Sequence, residues 1–254
     1  MERVFITGAS SGIGAALAKA YAARGARLGL VARRETELQR LAATLPCESI
    51  VLTADVRDGG RMQRSAAAFI ERFGMPDIVI ANAGVSNGTS TERSEDLAAF
   101  AEIMDINVLG MVRTFQPFVA GMCASHCGSL VGIASVAGFR GLPGASAYSA
   151  SKAAAISYLE SLRVELRGSG VAVTTLCPGY IATPMTARNP YRMPFMLPAE
   201  QAAKKMISAI DARRSFVVMP WQMAVVGKIM GVLPNRLYDT LAAKSGRKPR
   251  KSES

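Results

Sequence analysis

Apolar positions along the chain follow two alternating periods. Short, nearly continuous apolar runs are typical of strands covered on both faces, and longer segments with apolar residues every three or four positions are typical of helices. The pattern predicts strands at 4–6, 27–32, 49–54, 77–81, 129–134, 171–177 and 215–219. It predicts helices at 12–24, 35–45, 60–73, 94–106 with a continuation toward 122, 145–169 and 199–213.

Strict alternation of strands and helices predicts a single α/β domain, built on a doubly wound parallel sheet with helices on both faces. We expect this domain to span residues 1–220. Within it, residues 184–198 hold four prolines among apolar side chains, which predicts a mobile apolar flap. Residues 221–254 are expected to form a C-terminal extension, with an apolar helical stretch, a second helical piece at 236–244 and a basic tail.

The chain is strongly basic, with 30 Lys and Arg against 19 Asp and Glu. Part of the excess lies in the tail, 244–254, which we expect to be solvated. Nucleic acid is not an expected partner, because the charge is concentrated there and basic and aromatic residues do not interleave on the strands. The apolar stretch at 221–234 leaves two alternatives. It covers a subunit interface, which we favour slightly, or it makes peripheral contact with an anionic membrane.

Cysteine usage predicts reduced thiols in a cytoplasmic protein, or one peripheral to the inner face of a membrane. None of the four cysteines forms a Cys-x-x-Cys pair. Cys123, His126 and Cys127 supply three adjacent candidate ligands, too few for a structural zinc site, so no metal is predicted. We expect no leader before the first strand and no membrane span, since no apolar run is long enough.

A glycine-rich turn follows the first predicted strand, in the order Thr7-Gly8-Ala9-Ser10-Ser11-Gly12-Ile13-Gly14. Gly8 suits a tight turn, Gly12 lets backbone approach a pyrophosphate, and Gly14 lets the helix pack closely on the sheet. The free N–H groups and the dipole of the following helix favour phosphate. The turn therefore predicts a dinucleotide site, although a lone glycine motif also fits an ordinary strand–turn–helix corner.

Tyr148 and Lys152 are four residues apart in a predicted helix, so they share one face. A free tyrosine has a pKa of about 10 and is a poor base at neutral pH. A neighbouring ammonium would lower that pKa. Ser135, at the end of a predicted strand, can donate a hydrogen bond to a substrate oxygen. Each feature alone also fits an ordinary helix pair or strand end.

Together these motifs resemble those of the short-chain dehydrogenase/reductase family over about residues 2–220. The resemblance is carried by the spacing Gly8-x-x-x-Gly12-x-Gly14, Asn82-Ala83-Gly84, Ser135, Tyr148-x-x-x-Lys152, and Pro178-Gly179 with Thr183, each on the expected element. It implies a Rossmann-like fold and an oxidoreductase that transfers a hydride between nicotinamide and an alcohol or carbonyl substrate. It also implies a homodimer or homotetramer.

The resemblance also implies a role for each matching residue. Tyr148 is the general acid/base, Lys152 holds the nicotinamide ribose, Ser135 polarises the substrate oxygen, and Asn107 holds a water in a proton relay. The implied cofactor-binding set is Gly8, Ser10, Ser11, Gly12, Ile13, Gly14, Arg33, Arg34, Asp55, Val56, Asn82, Ala83, Gly84, Tyr148, Lys152, Pro178, Gly179, Ile181 and Thr183.

The end of the second predicted strand favours NADP(H) over NAD(H). It carries no acidic residue for the ribose hydroxyls, and Ala32 stands where NAD-using members of the family place Asp. Arg33 stands where NADP-using members place a basic residue, and a guanidinium can clamp a 2′-phosphate. Ser11 is neutral where some NADP-using relatives carry a second basic residue. Asp55 is implied at the adenine edge, with a helix N-cap as the alternative.

The substrate is expected to be a small, apolar carbonyl compound or alcohol. Its entrance is expected to be lined by Phe139, Arg140, Leu142, Pro143 and the flap, with Arg140 or Arg188 as candidates for binding an acidic group. Two alternatives remain on the same fold. One is a dehydratase or epimerase that uses bound nucleotide, and the other is a non-catalytic NADP-binding sensor or scaffold.

Overall fold

The computed structural model of the chain describes residues 1–243, 246 and 248–250. The strands are β1 Arg3–Thr7, β2 Arg27–Ala32, β3 Ser49–Thr53, β4 Ile78–Ala81, β5 Gly128–Ile133, β6 Val171–Pro178, β7 Ile181–Ala182, β8 Leu197–Pro198 and β9 Phe216–Met219. The α-helices are α1 Gly12–Ala22, α2 Glu35–Ala43, α3 Gly59–Phe73, α4 Asp96–Met104, α5 Gly110–Ala124, α6 Ser146–Glu165, α7 Ala199–Asp211, α8 Trp221–Val232 and α9 Asn235–Ala242.

Seven strands form one parallel sheet in the order β3-β2-β1-β4-β5-β6-β9. The predicted doubly wound parallel sheet is confirmed. The strand order reverses between β1 and β4, because the chain first builds outward through β2 and β3 and then returns to the other side of β1. In such sheets the crevice at the carboxyl ends of the strands beside this reversal is the usual place for a ligand.

The two faces of the sheet carry separate apolar cores, as alternation along each strand requires. On β1, Val4 and Ile6 pack toward α1, α2 and α7, whereas Phe5 points the other way. There it contacts Phe69 of α3 and Phe118 of α5 edge-on, with ring centroids 5.5 and 4.9 Å away. Covered faces on both sides explain why the strands are continuous apolar runs.

The long helix predicted from residue 94 onward contains an unpredicted change of register. α4 runs into a π-helical turn, Asp105–Leu109, and then directly into α5. Gly110 comes directly after this turn, where a Cβ would lie within 2.7 Å of the Val56 side chain. π turns of this kind occur often at functional positions, and here the turn carries Asn107.

The C-terminal extension folds back onto the domain. α8 packs against β9 and the turn after β5, and α9 follows it. Beyond α9, the Gly88 backbone N–H donates to the Pro249 carbonyl at 2.7 Å. The expectation of a solvated tail is therefore wrong for Lys248 and Arg250, which are partly buried. The other charged tail positions, Lys244, Arg247, Lys251 and Glu253, lie outside the described residues.

The predicted flap, 184–198, lies between two short paired strands. β7 and β8 are parallel, with Ile181 opposite Leu197, so both ends of the segment are held together. Met185, Phe195 and Met196 of this segment are exposed. Within the described part of the chain, no helix is long and apolar enough to cross a membrane.

Candidate active site

The glycine-rich turn between β1 and α1 leaves room for a ligand because side chains are excluded from it. Gly8 and Gly12 have φ of 67° and 57°, in the left-handed region that glycine adopts without strain. A Cβ on Gly8 would lie 2.8 Å from the Ala83 Cα. Gly14 packs against Gly8 and Asn82 and does not line the cavity beside the turn. α1 begins at Gly12, so its first N–H groups face this cavity.

Asn82, at the end of β4, ties the turn to the sheet. Its side-chain amide donates to the carbonyls of Thr7 at 2.9 Å and Gly8 at 3.2 Å. The fully buried Thr7 hydroxyl accepts from the N–H groups of Asn82 and Ala83 at 3.2 and 3.3 Å. Sequence reasoning missed Thr7, although a threonine at the end of an apolar strand was a visible signal.

Two arginines follow β2 at one end of the site. Arg33 is exposed and lies 3.7 Å from the Asp55 carboxylate. Arg34 donates from Nη2 to the hydroxyls of Ser10 and Ser11, both at 3.0 Å. Position 11 lacks the basic side chain that some NADP-using relatives carry there. The Arg34 guanidinium, which follows β2, contacts Ser11 and places a positive charge at this position instead.

Asp55 is not the N-cap of α3. That role falls to Asp58, which accepts from the Arg61 N–H at 2.9 Å. Asp55 instead accepts from the backbone N–H of Arg57 at 2.9 Å and pairs with its guanidinium at 2.7 Å. The hydrogen bond from the Arg57 side chain, more than any other effect, holds the pKa of Asp55 below its usual range. Asp55 is therefore a fixed anion beside Val56 in the cavity wall.

Tyr148, Lys152 and Ser135 meet at the other end of the site. Tyr148 and Lys152 lie one turn apart on α6, and Ser135 follows β5. The buried Lys152 ammonium donates to the Ile133 carbonyl at 2.8 Å and lies 5.8 Å from the centroid of the Tyr148 ring. The turn after β5 reaches α6 closely because Gly138 has no side chain; a Cβ there would lie 2.7 Å from the Lys152 backbone.

Burial changes the acidity of these groups. It lowers the pKa of Lys152 to about 8, so the ammonium still predominates at pH 7. It also raises the pKa of Tyr148, against a smaller lowering by the hydrogen bond with Ser135. Cys177 lies nearby, and burial raises the pKa of its thiol to about 12. Tyr148 is consequently a protonated phenol at neutral pH, the form that can donate a proton.

Asn107 is buried behind the cavity, on the π turn. Its Oδ1 accepts from the Val85 N–H at 2.9 Å, and its Nδ2 donates to the Val85 carbonyl and the Ser151 hydroxyl, both at 3.0 Å. Ser151 in turn donates to the Tyr148 carbonyl at 2.8 Å. Asn107 therefore connects the loop after β4 to the helix that carries Tyr148 and Lys152.

The segment that follows β6 forms one wall of the site. The Gly179 N–H donates to the Met219 carbonyl at 2.7 Å, which holds this loop against β9. The Thr186 hydroxyl donates to the Ile181 carbonyl at 2.6 Å. A Cβ on Gly12 would lie 3.3 Å from the Thr183 side chain, so the loops after β1 and β6 meet here.

A cavity of about 310 Å³ joins the two ends of the site. Gly14 and Asn107 excepted, every residue predicted to bind cofactor or act in catalysis lines it. Residues that sequence reasoning did not assign also line it; they are Ala54, Val85, Ile106, Ile133 and Ala134. Three residues of the flap that was expected at the substrate entrance, Pro184, Met185 and Thr186, line it as well. Most of these are small or apolar side chains, which carry no chemical signal in a sequence.

The prediction of which residues line the substrate entrance is partly wrong. Phe139 packs against Gly227 of α8 and stacks with Phe216, with ring centroids 6.1 Å apart. Arg140 donates to the carbonyls of Met230 and Leu233, both at 2.8 Å, and so caps the end of α8. Both side chains hold the C-terminal extension, which leaves Arg140 committed to α8 and not to an acidic group of the substrate.

A parallel α/β sheet, with a glycine-rich turn at its reversal point and a Ser–Tyr–Lys group after β5 at the same edge, defines a dinucleotide-binding protein of the oxidoreductase type. The sequence profile described as "short chain dehydrogenase" matches residues 2–193. The chain belongs to the short-chain dehydrogenase/reductase family, and it is an oxidoreductase of that family.

Known relatives and solved structures match this chain over most of its length. An uncharacterized oxidoreductase from Myxococcus xanthus is 40% identical over 242 residues, which cover 93% of this chain and 94% of the relative. An alcohol dehydrogenase from Thermococcus sibiricus, complexed with 5-hydroxy-NADP, has a TM-score of 0.75 at 26% identity, covering 86% of this chain and 96% of its own. A family member from Burkholderia phymatum, in complex with NAD, has a TM-score of 0.80 at 26% identity, covering 98% and 97%.

The Thr7 hydroxyl gives a stability prediction. We expect Thr7→Val to lower the free energy of unfolding by about 1–3 kcal/mol, because it keeps the side-chain shape but removes the acceptor of the part-buried Ala83 N–H. Thr53→Val is the matched control, since Thr53 also ends a strand but is exposed. Urea unfolding of both variants measures the difference. Equal losses would contradict a special role for the Thr7 hydroxyl.

Proposed function

We propose that the protein is an NADP(H)-dependent dehydrogenase or reductase that interconverts an alcohol and a carbonyl compound, with Tyr148 as its general acid/base. The observation that carries this proposal is the arrangement of one cavity. Arg33 and Arg34 flank the end of the cavity near β2, and Ser135, Tyr148 and Lys152 converge at the end near β5 and β6. The backbone cradle at Gly8 and Gly12 lies between them, where a pyrophosphate fits.

The proposed chemistry assigns one task to each side chain. When bound, NADPH supplies the hydride for the carbonyl carbon. Tyr148 donates its phenolic proton to the carbonyl oxygen, and its raised pKa keeps that proton available at neutral pH. Ser135 donates a hydrogen bond to the same oxygen and stabilises the developing negative charge. Oxidation of an alcohol follows the same steps in reverse.

Lys152 and Asn107 support this tyrosine. The Lys152 ammonium faces the Tyr148 ring and is suited to stabilise a phenolate and to bind the ribose hydroxyls of the nicotinamide. Asn107 contacts Val85 and Ser151, and Ser151 directly precedes Lys152 on α6. We propose that it orders the water through which Tyr148 is reprotonated.

The preference for NADP(H) rests on local chemistry, because related structures contain NADP-type and NAD cofactors alike. A 2′-phosphate beside β2 would meet two guanidinium groups. Ala32 offers no carboxylate that would repel it, and the nearby Asp55 is already paired with Arg57 and Arg33. This balance favours the extra negative charge of NADP(H).

The role of Tyr148 is tested by Tyr148→Phe. We expect a loss of about 10²- to 10⁴-fold in kcat, because the proton donor is removed, and nearly unchanged NADPH binding. Stopped-flow absorbance with a ketone panel and a fluorescence titration with NADPH measure the two effects. Tyr158→Phe is the matched control, since Tyr158 lies on the same helix but does not line the cavity. Retained turnover in Tyr148→Phe would show that another group donates the proton, and would contradict the role assigned to Tyr148.

Cofactor preference is tested by Arg33→Ala and Arg34→Ala. Loss of a charge-assisted hydrogen bond should reduce the ratio of kcat/KM with NADPH to that with NADH by about 10- to 100-fold. Arg40→Ala, which removes an exposed guanidinium from α2, should leave the ratio at the wild-type value. If all three variants kept the wild-type ratio, the 2′-phosphate would be recognised elsewhere.

We further propose that the protein is a homo-oligomer joined through α8. One face of this helix exposes Trp221, Val225, Ile229 and Val232, with Trp221 71% and Val232 79% exposed. Contiguous apolar patches of this kind mark interaction surfaces. Two cations of the tail, Lys248 and Arg250, pack against the catalytic domain and are not free to contact an anionic membrane, whereas Lys228 and Arg236 are exposed near this face. A second copy of the chain is therefore the favoured occupant.

Val225→Glu tests this interface. We expect it to convert the oligomer to monomers, because it buries a charge in an apolar contact, whereas Val225→Ala should remain associated. Light scattering after size-exclusion chromatography gives the mass of each. A monomeric wild-type protein that sediments with anionic vesicles would instead support the membrane alternative.

A further inference from the structure

A C-terminal arm, defined by residues 246 and 248–250, returns from α9 to the catalytic domain. Arg250 forms a parallel backbone bridge with Gly88, which lies in the loop between β4 and α4. Gly88 permits this approach, since a Cβ there would lie 2.8 Å from the Pro249 carbonyl oxygen. At the start of the arm, Gly246 lies against Tyr191 of the flap. The arm thus passes between the flap and the loop after β4.

Arg250 fixes the arm in this position. Its Nε and Nη2 atoms donate to the two carboxylate oxygens of Asp96 at 2.9 and 3.0 Å, and Nη2 also donates to Glu95 at 2.9 Å. Asp96 is buried and further accepts from the Ser90 N–H at 2.8 Å. A bidentate hydrogen bond to a buried carboxylate has a defined geometry. The contact between Arg250 and Asp96 therefore determines the position of Lys248, two residues earlier in the chain.

Lys248 is consequently directed at the catalytic tyrosine. Its ammonium donates to the Ser86 hydroxyl and lies 4.9 Å from the centroid of the Tyr148 ring. Lys152 lies 5.8 Å from the same centroid. Two cations therefore lie close to one phenol ring, and of the two only Lys152 lines the cavity that extends to Arg33. The Lys248 ammonium lies next to Tyr148 but is not among the residues that line this cavity.

The Lys248 ammonium has no countercharge among the residues that the structure describes. The nearby carboxylates of Glu95 and Asp96 are both engaged by Arg250. Burial lowers the pKa of Lys248 to about 8, and no opposing carboxylate raises it. Burying a cation without an anion is costly, and the cost is recovered when an anion binds.

We propose that Lys248 binds a carboxylate of the substrate, so that the protein acts on keto acids or hydroxy acids whose acidic group lies a few bonds from the reacting carbon. This inference rests on the proposed function, because it names the substrate class of that same site. The carboxylate would accept from the Lys248 ammonium and from the Ser86 hydroxyl while the carbonyl oxygen faces Tyr148 and Ser135. It modifies the expectation of an apolar substrate, and it assigns to Lys248 the task that sequence reasoning considered for Arg140 or Arg188.

The proposal is tested first with matched substrates and NADPH. The ratio of kcat/KM for 3-oxobutanoate and 4-oxopentanoate to that for their methyl esters is measured in the wild type, Lys248→Met, Lys248→Arg and Lys205→Met. We expect Lys248→Met to lower the ratio by about 10- to 100-fold. Lys248→Arg keeps the cation and should restore most of it. Lys205→Met is the matched control, because Lys205 is an exposed lysine on α7.

A binding measurement keeps the test independent of turnover. Calorimetry measures the affinity of acetate, propanoate and butanoate for the wild-type protein, with and without NADP⁺. We expect Lys248→Met to weaken this binding about 10-fold or more. Arg250→Gln should weaken it similarly, since Lys248 remains but is no longer held in place. Alkanoate binding that is equal in the wild type and Lys248→Met would overturn the inference.

Two further outcomes separate the possibilities. If Lys248→Met and Arg250→Gln increased kcat/KM for acids and esters alike, the arm would be an obstruction of the site, and the inference would be wrong. If the wild type bound alkanoates through Lys248 but reduced neither acids nor esters, the carboxylate site would stand and the proposed function would fail.

Discussion

The site depends on the close contact between the ends of β1 and β4. The glycine-rich turn has to pass so near the loop after β4 that no side chain fits at Gly8, and Asn82 and Thr7 hold the two together. Because α1 starts from this turn, the same contact sets the direction of its free N–H groups. The position of the cofactor cradle is thus fixed by hydrogen bonds within the scaffold and not by the side chains that would contact a nucleotide.

The helices on the two faces of the sheet have different roles in the site. α1 and α7 on one face build the support for the turn, whereas the π turn before α5 and the helix α6 on the other carry Asn107, Tyr148 and Lys152. Residues from the two faces meet at the carboxyl edge of the sheet, where they line one cavity. Chemical groups from distant parts of the chain therefore converge there without any of them having to cross the core.

Sequence patterns predicted the fold well because strands buried on both faces and strictly alternating helices give strong, local signals. The residues lining the cavity were also largely predictable, since the glycines, Ser135 and the Tyr148–Lys152 pair follow strand ends or share a helix face. Contacts that depend on tertiary packing were not. Arg140 was a candidate for binding an acidic group but caps α8, and Lys248 was expected in a solvated tail but lies next to Tyr148. Their contacts could not be predicted because the residues they contact are distant in sequence.

The π turn at Asp105–Leu109 has a consequence for how this family can change length. It holds one residue more than an α-helix would use for the same advance, and that extra residue turns Asn107 inward toward Val85 and Ser151. Removing a single residue from this turn would restore a regular α-helix, while α4 and α5 would keep their orientation relative to each other. Homologues with a deletion there would keep a well-formed helix and lose the asparagine from the site, so a gap in an alignment at this point is informative about mechanism.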